Sequence, residues 1–364
     1  MSAEGDKPEE RRHAFKGRGA VTQRGGRFQQ WQRTPEDDGW GALEADPARP
    51  ATRVEVDAAR QIITYNRSPD VPFDRSINPY RGCEHGCIYC YARPTHTYLD
   101  LSPGLDFETR LFYKPEAARL LEDALRKPGY AVQPIALGVN TDAYQPVERR
   151  LRVTRDILRV LLEYRHPVTL ITKSALVERD LDVLTPMAEA GLVHAAVSVT
   201  TLDEDLNRRL EPRAAGGRRR LRTIAALSEA GVPTSVNVAP VIPFLTDHEL
   251  ETILGEARAA GARSAAYIML RVPHEVEGLM RDWLDTHYPR KTEHLFSLLR
   301  SMHGGSTYSS EFGHRMRGGG EYAAVVAQRF RVARRRLGFE DSLPPLVCDR
   351  FRLPDRRGDQ MRLF

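Results

Sequence analysis

Between about residues 54 and 303 the chain alternates short apolar runs with longer stretches whose apolar positions recur every three or four residues. The runs 135–139 (IALGV), 168–172 (VTLIT), 195–199 (AAVSV), 234–238 (TSVNV) and 266–270 (AYIML) predict buried strands. An earlier strand is expected around residues 76–80, just before a group of cysteines. The intervening spacing predicts helices over 115–125, 154–164, 218–230 and 247–260. Gly231 and Gly261 stand where the last two should stop. Six strands, each followed by a helix at a spacing of roughly 30–40 residues, predict an α/β domain built as a partial (β/α)6 barrel. An open doubly wound sheet is the alternative, but no GxGxxG follows any of the strands.

Periodicity fades at both ends. Residues 1–53 are polar and rich in Gly, Arg and Gln, and residues 11–33 carry basic side chains without a single acid. Such a segment buries too little apolar surface to offset its ordering entropy, so a disordered basic N-terminal extension is expected. Its RGGRFQQWQR stretch suits phosphate contacts and stacking on bases, although a solvated tail is the plainer reading. Residues 304–364 form a C-terminal extension. It contains a Gly-rich loop, an Arg-rich helix expected over 322–337, and a final stretch without clear periodicity. The loop from Gly304 to Arg317 has the glycine flanks of a lid, and its Tyr308 is a candidate catalytic side chain, able to donate hydrogen or stack on a base.

Composition narrows the class. A formal charge of +5 permits an anionic partner such as a nucleic acid without requiring one. No apolar stretch approaches the roughly 18 residues of a membrane helix, and the N-terminus has no secretory apolar region, so no membrane association is expected and the reading is cytoplasmic. Three of the four cysteines fall within one short window, which points to a metal site in a reducing compartment rather than a disulfide framework.

That window reads Asn78-Pro-Tyr-Arg-Gly-Cys83-Glu-His-Gly-Cys87-Ile-Tyr-Cys90-Tyr-Ala. Three thiolates on one tight loop reach three corners of an iron–sulfur cubane and leave one iron open for a ligand. Gly82 and Gly86 allow the loop to bend around it. A structural zinc with His85 or Cys348 as fourth ligand is the bland alternative. No second C-x2-C pair supports it, and His85 lies awkwardly between two of the cysteines.

C-x3-C-x2-C with an aromatic, here Tyr89, before the last cysteine resembles the radical S-adenosylmethionine (SAM) superfamily. Together with the strand end Asn140-Thr-Asp-Ala-Tyr-Gln-Pro-Val-Glu148, the loop is similar to the spore photoproduct lyase-like branch over about residues 54–310. The resemblance implies a radical SAM core of TIM-barrel type. It implies a [4Fe–4S] cluster on Cys83, Cys87 and Cys90, with SAM chelated to the open iron. Reductive cleavage then yields a 5′-deoxyadenosyl radical, with a ferredoxin or flavodoxin as electron donor. By position, Asn140, Thr141 and Asp142 would meet the SAM amino group. Ser198 would meet the ribose and Arg213 the carboxylate, while Asn237 and Leu270 would line the cofactor. Tyr89 stands among these cofactor residues.

The resemblance also marks a departure. Spore photoproduct lyases use a barrel cysteine after the cluster loop as hydrogen donor, whereas residues 136–141 contain none. Cys348, far along the chain, is more simply a small buried hydrophobe. The leading expectation is therefore a SAM-cleaving enzyme of undefined substrate, with nucleic acid among the candidates. A protein- or peptide-modifying radical enzyme, and a non-enzymatic nucleic-acid binder with a structural metal, are the alternatives.

Overall fold

The computed structural model describes residues 13–28 and 50–355. Ten strands are found among them: β1 (Arg53–Val56), β2 (Ile63–Tyr65), β3 (Arg75–Ile77), β4 (Tyr80–Arg81), β5 (Arg110–Tyr113), β6 (Ile135–Leu137), β7 (Val168–Thr172), β8 (Val193–Val199), β9 (Thr234–Val241) and β10 (Ser264–Met269). The helices are α1 (Leu105–Thr109), α2 (Ala117–Leu125), α3 (Glu148–Leu151), α4 (Val153–Glu163), α5 (Leu181–Glu189), α6 (Glu204–Leu210), α7 (Gly217–Glu229), α8 (Leu250–Ala259), α9 (Glu275–His287), α10 (Thr292–Met302) and α11 (Gly320–Arg336). All six expected strands and all five expected helices are present. Strands β1, β2 and β5 and helices α1, α3, α5, α6, α9 and α10 lie outside those expectations.

The main sheet has the order β10-β9-β8-β7-β6-β3-β2. From β3 to β10 neighbouring strands are parallel, and β2 adds an antiparallel edge. Helices on the connections pack on one face, with α7 and α5 against β8 and α8 against β9. Parallel register and the two-residue period of a strand assign each side chain to a face. The helix-facing set includes Leu137, Val168, Leu170, Val197, Val236 and Val238, all essentially inaccessible to solvent. The opposite, inner face carries Ser76, Ala136, Thr169, Ala196, Ser198, Ser235, Asn237 and Ala266, in register from strand to strand. One face is therefore a packed core and the other a lining of small and polar side chains.

A second sheet, β1-β5-β4, stands beside the first and leads into the cysteine loop. Segment 313–316 spans from the β10 edge toward the β2–β3 connection. The Met269 N–H donates to the Met316 carbonyl at 2.9 Å, and Arg315 pairs with Asp70. The C-terminal stretch crosses the opposite end, where the strands begin. The Val347 N–H donates to Gly191, and the Phe351 ring packs on Tyr130, Tyr164 and His166. Cys348 is thus at the base of the sheet, away from the other three cysteines.

The expectation of disorder across residues 1–53 fails for residues 13–28, while residues 1–12 and 29–49 lie outside the described residues. Ala20 and Val21 are buried. The Gly19 and Ala20 N–H groups donate to the Glu108 carboxylate at 2.9 and 2.8 Å. Arg24 forms a two-pronged pair with Asp282 at 2.6 and 2.8 Å. Composition misled because the anchors are backbone groups and charges, not apolar area.

Candidate active site

The loop from Gly82 to Cys90 follows β4 and winds at the ends where the parallel strands finish. Gly82 and Gly86 have φ of +74° and +69°. A Cβ on Gly82 would lie 2.9 Å from the Phe107 carbonyl oxygen, the acceptor of the Cys83 N–H. Cys83 and Cys87 are buried and Cys90 half-buried, and none is in a disulfide. Burial pushes all three thiols up; neighbouring cysteines add to this at Cys83 and Cys87, while Arg93, Lys173 and Arg271 oppose it at Cys90. Three thiols on one tight loop that resist ionising alone fit a cationic iron–sulfur cluster.

Behind the loop lies a buried ion pair. The Arg93 guanidinium donates to the carbonyls of Cys87 (2.9 Å), Gly86 (3.1 Å), Pro103 (3.0 Å) and Gly104 (2.9 Å), and it pairs with Glu108. Both side chains are wholly buried. Glu108 in turn accepts from the N-terminal segment, so one carboxylate ties residues 19–20 to the back of the cysteine loop.

In front of the loop a polar network faces the inner side of the sheet. Glu211 is fully buried and accepts from Thr200 Oγ1 at 2.7 Å, from the Tyr89 hydroxyl and from Arg220. Lys173 Nζ stands 3.3 Å from the same carboxylate, donates to the Ala239 carbonyl at 2.8 Å, and lies 5.6 Å from the Tyr89 ring centre. Burial and the nearby Arg220 bring the Lys173 pKa down to about 8, while Cys87 and Asp142 act the other way.

The expected cofactor residues divide. Tyr89 joins this network, and Ser198 and Asn237 are paired in register on the inner face. Asn140 is half-buried, and its N–H donates to Asn78 Oδ1 at 2.9 Å. Thr141 and Asp142 are engaged within the protein. The Thr141 hydroxyl donates to the Tyr80 carbonyl at 2.8 Å, and Asp142 accepts from Thr172 Oγ1 and the Lys173 N–H, each at 2.7 Å. Burial opposes ionisation of Asp142, but the His85 imidazole beside it and these N–H donors hold its carboxyl below the usual range. That engagement of His85 also removes it as a convenient metal ligand.

Leu270 follows β10 directly. It is 1% exposed and belongs to the apolar core. Arg213 pairs with Glu84 at 3.3 Å on the side of the loop toward the N-terminal segment. Tyr308 is half-buried against the core, next to Thr307, whose hydroxyl donates to Glu277 at 2.6 Å.

The family model that matches residues 77–257 is the radical SAM superfamily, and it spans β3 to α8 with the cysteine loop near its start. The chain belongs to the radical SAM superfamily. Its members cleave SAM at a [4Fe–4S] cluster, so the chain is an enzyme of that class. An uncharacterized protein of Mycobacterium tuberculosis is 38% identical over 232 residues, 63% of this chain and 68% of the relative. One of Methanocaldococcus jannaschii is 25% identical over 218 residues, 60% and 77% respectively. Among solved structures, spore photoproduct lyase complexed with dinucleoside spore photoproduct matches with a TM-score of 0.57 at 15% identity, covering 79% of this chain and 80% of that one. A mutant of that lyase with bound AdoMet and dinucleoside spore photoproduct gives 0.51 at 13%, with the same coverage. These likenesses show a shared fold with the radical SAM core.

Arg93, Glu108, Lys173, Glu211 and Arg220 went unnoticed in the sequence. Lys173 directly follows the strand run 168–172, and the strand-end rule that selected Asn140 and Ser198 would have selected it too.

Proposed function

We propose that Cys83, Cys87 and Cys90 hold a [4Fe–4S] cluster at the mouth of a partial (β/α)6 barrel, and that the chain cleaves SAM reductively inside it. The observation that carries this reading is the placement of Cys83, Cys87 and Cys90, two buried, one half-buried and none in a disulfide, on one loop bent at Gly82 and Gly86. When bound, the cluster supplies the electron that breaks the S–C5′ bond of SAM and releases a hydrogen-abstracting 5′-deoxyadenosyl radical.

The chain's own residues bind and orient. Lys173 is the interior cation beside the thiols and suits the SAM carboxylate. Glu211 holds the Tyr89 hydroxyl, Thr200 and Lys173 in one hydrogen-bonded set, which fixes the ring preceding Cys90. Ser198 and Asn237 offer hydroxyl and amide groups on the inner face, and Asn140 stands past the end of β6, on the far side of β7. Small side chains at Ala136, Ala196, Ser235 and Ala266 leave room for cofactor and substrate. Residues 54–303 form the catalytic core in this reading.

The substrate is an anionic molecule, with nucleic acid the leading class. Arg271 lies 4.6 Å over the exposed Tyr91 ring beside Cys90, and Arg315 pairs nearby, so the mouth carries cations and an aromatic platform. With residues 136–141 free of cysteine and Cys348 at the base, the reaction departs from lyases that use a barrel thiol. Anaerobic reconstitution should give about four irons per chain, and dithionite with SAM should yield 5′-deoxyadenosine. A reconstituted chain that retains SAM intact would refute the assignment.

A further inference from the structure

An electron has to reach the cluster from outside, while the inner face is given over to SAM and substrate. The back of the cysteine loop offers a different approach. The N-terminal segment lies directly on it: a Cβ on Gly19 would stand 1.9 Å from the Gly86 carbonyl oxygen, and Gly86 immediately precedes Cys87. Beside this contact is a surface depression of about 400 Å³ lined by Lys16, Arg18, Thr52 and Arg213, among others. The Arg213 N–H donates to the His85 carbonyl at 3.2 Å, which joins the depression to the stretch between Cys83 and Cys87.

The charge there is one-sided. Lys16 is exposed and the Arg213 side chain is 37% exposed. The Arg18 guanidinium is held open-handed between neutral acceptors, the carbonyls of Glu108 (3.0 Å) and Pro50 (2.8 Å) and the Thr52 hydroxyl (3.0 Å). Among the described residues, Glu84 is the one carboxylate set among these cations, since the Glu108 carboxylate is matched by Arg93. Among the described residues the lining contains no aromatic side chain of the kind on which a single-stranded nucleic acid stacks.

Resting on the radical SAM reading, we propose that this basic depression is the docking surface for an acidic one-electron carrier protein of the flavodoxin or ferredoxin class. Docking makes and breaks no covalent bond. The reduced carrier gives up one electron, the cluster gains it, and the oxidised carrier leaves. Complementary charge raises the encounter rate and sets the orientation, placing the carrier's redox centre against the loop that holds the thiols.

The test uses the full reconstituted chain with a reduced flavodoxin of net negative charge, and with dithionite as a reductant that needs no docking. Lys16→Glu should raise the KM for flavodoxin about fivefold at low ionic strength. Adding Arg213→Gln should raise it further, and the difference from wild type should vanish in high salt. Direct flavodoxin binding, followed by fluorescence anisotropy, should weaken in parallel. Dithionite-driven formation of 5′-deoxyadenosine by Lys16→Glu should match wild type. Normal dithionite chemistry combined with unchanged flavodoxin KM and affinity overturns the docking surface alone. So does loss of DNA or RNA binding with carrier-driven rates intact, which would make the depression a phosphate site. Failure of the wild-type chain to cleave SAM with dithionite removes the radical SAM reading, and this proposal with it.

Discussion

Replacing Glu108 by Gln would test whether the buried ion pair behind the cysteine loop holds that loop in shape. The wild-type carboxylate accepts from three donors: the Gly19 and Ala20 N–H groups and Arg93. Glutamine keeps one acceptor oxygen and turns an NH2 group toward the remaining donors. It also leaves the Arg93 guanidinium charged and wholly buried. Breaking a buried pair from one side costs about 3–5 kcal/mol, a large part of the roughly 5–15 kcal/mol that keeps a domain folded. The loss should centre on the N-terminal segment and the cysteine loop, because those are the elements the carboxylate joins. Anaerobic urea unfolding gives the stability change. Timed trypsin digestion reports release of Lys16 and Arg18, and iron per chain reports the loop. We expect a lower unfolding midpoint, faster cleavage at those two residues and less iron. A stability loss under about 1 kcal/mol with wild-type proteolysis would show that Arg93 is satisfied by its four carbonyl partners alone.

Three further outcomes follow from other parts of the molecule. Gly86→Ala forces a Cβ to 2.8 Å from Glu108 Oε2 at a φ of +69°, a strain of about 1–3 kcal/mol, and should lower iron content; Gly129→Ala, at φ +76° with open space around it, should leave iron unchanged. Lys173→Met should weaken SAM binding to the reconstituted enzyme about ten- to a hundredfold with iron retained, as read by equilibrium dialysis, and unchanged affinity would exclude Lys173 from the cofactor site. His166 is buried, with Nδ1 at 2.9 Å from the Pro167 carbonyl, and burial brings its pKa down to about 4. The unfolded chain takes up a proton below about pH 6.5 while the folded chain resists until about 4, so stability contributed above 6.5 is lost as pH falls. About 2 kcal/mol should disappear between pH 7 and 5, and His166→Gln should flatten that part of the profile.

The sequence was most legible where structure is local. The cysteine loop declares itself within a dozen residues, and the apolar strand runs are long enough to stand out from their helices. Contacts that join distant segments left no such trace. Residues 19–20 are ordered by a carboxylate 88 and 89 positions away, through backbone N–H groups that every residue except proline possesses. Glu211 was overlooked for the opposite reason: it sits in the same Leu-Glu-Pro-Arg turn as Arg213, and the arginine drew attention although its guanidinium faces the other side of the loop.

The strand runs themselves carried information that a plain apolar reading discards. A closed, packed barrel fills its interior with branched side chains such as Val, Ile and Leu. Here those residues concentrate on the helix side, and register gives the inner side Ala136, Ala196, Ser198, Ser235, Asn237 and Ala266. Enlarging inward side chains would stabilise an empty sheet by burying more area, yet every strand from β6 to β10 except β7 presents a small or amide residue there. β7 compensates by ending at Lys173, the cation beside the thiols. In the proposed reading the inner face gives up packing in order to hold a guest. In the proposed reading Lys173, 3.3 Å from the Glu211 carboxylate, is the cation that would face a negatively charged guest next to the cluster loop.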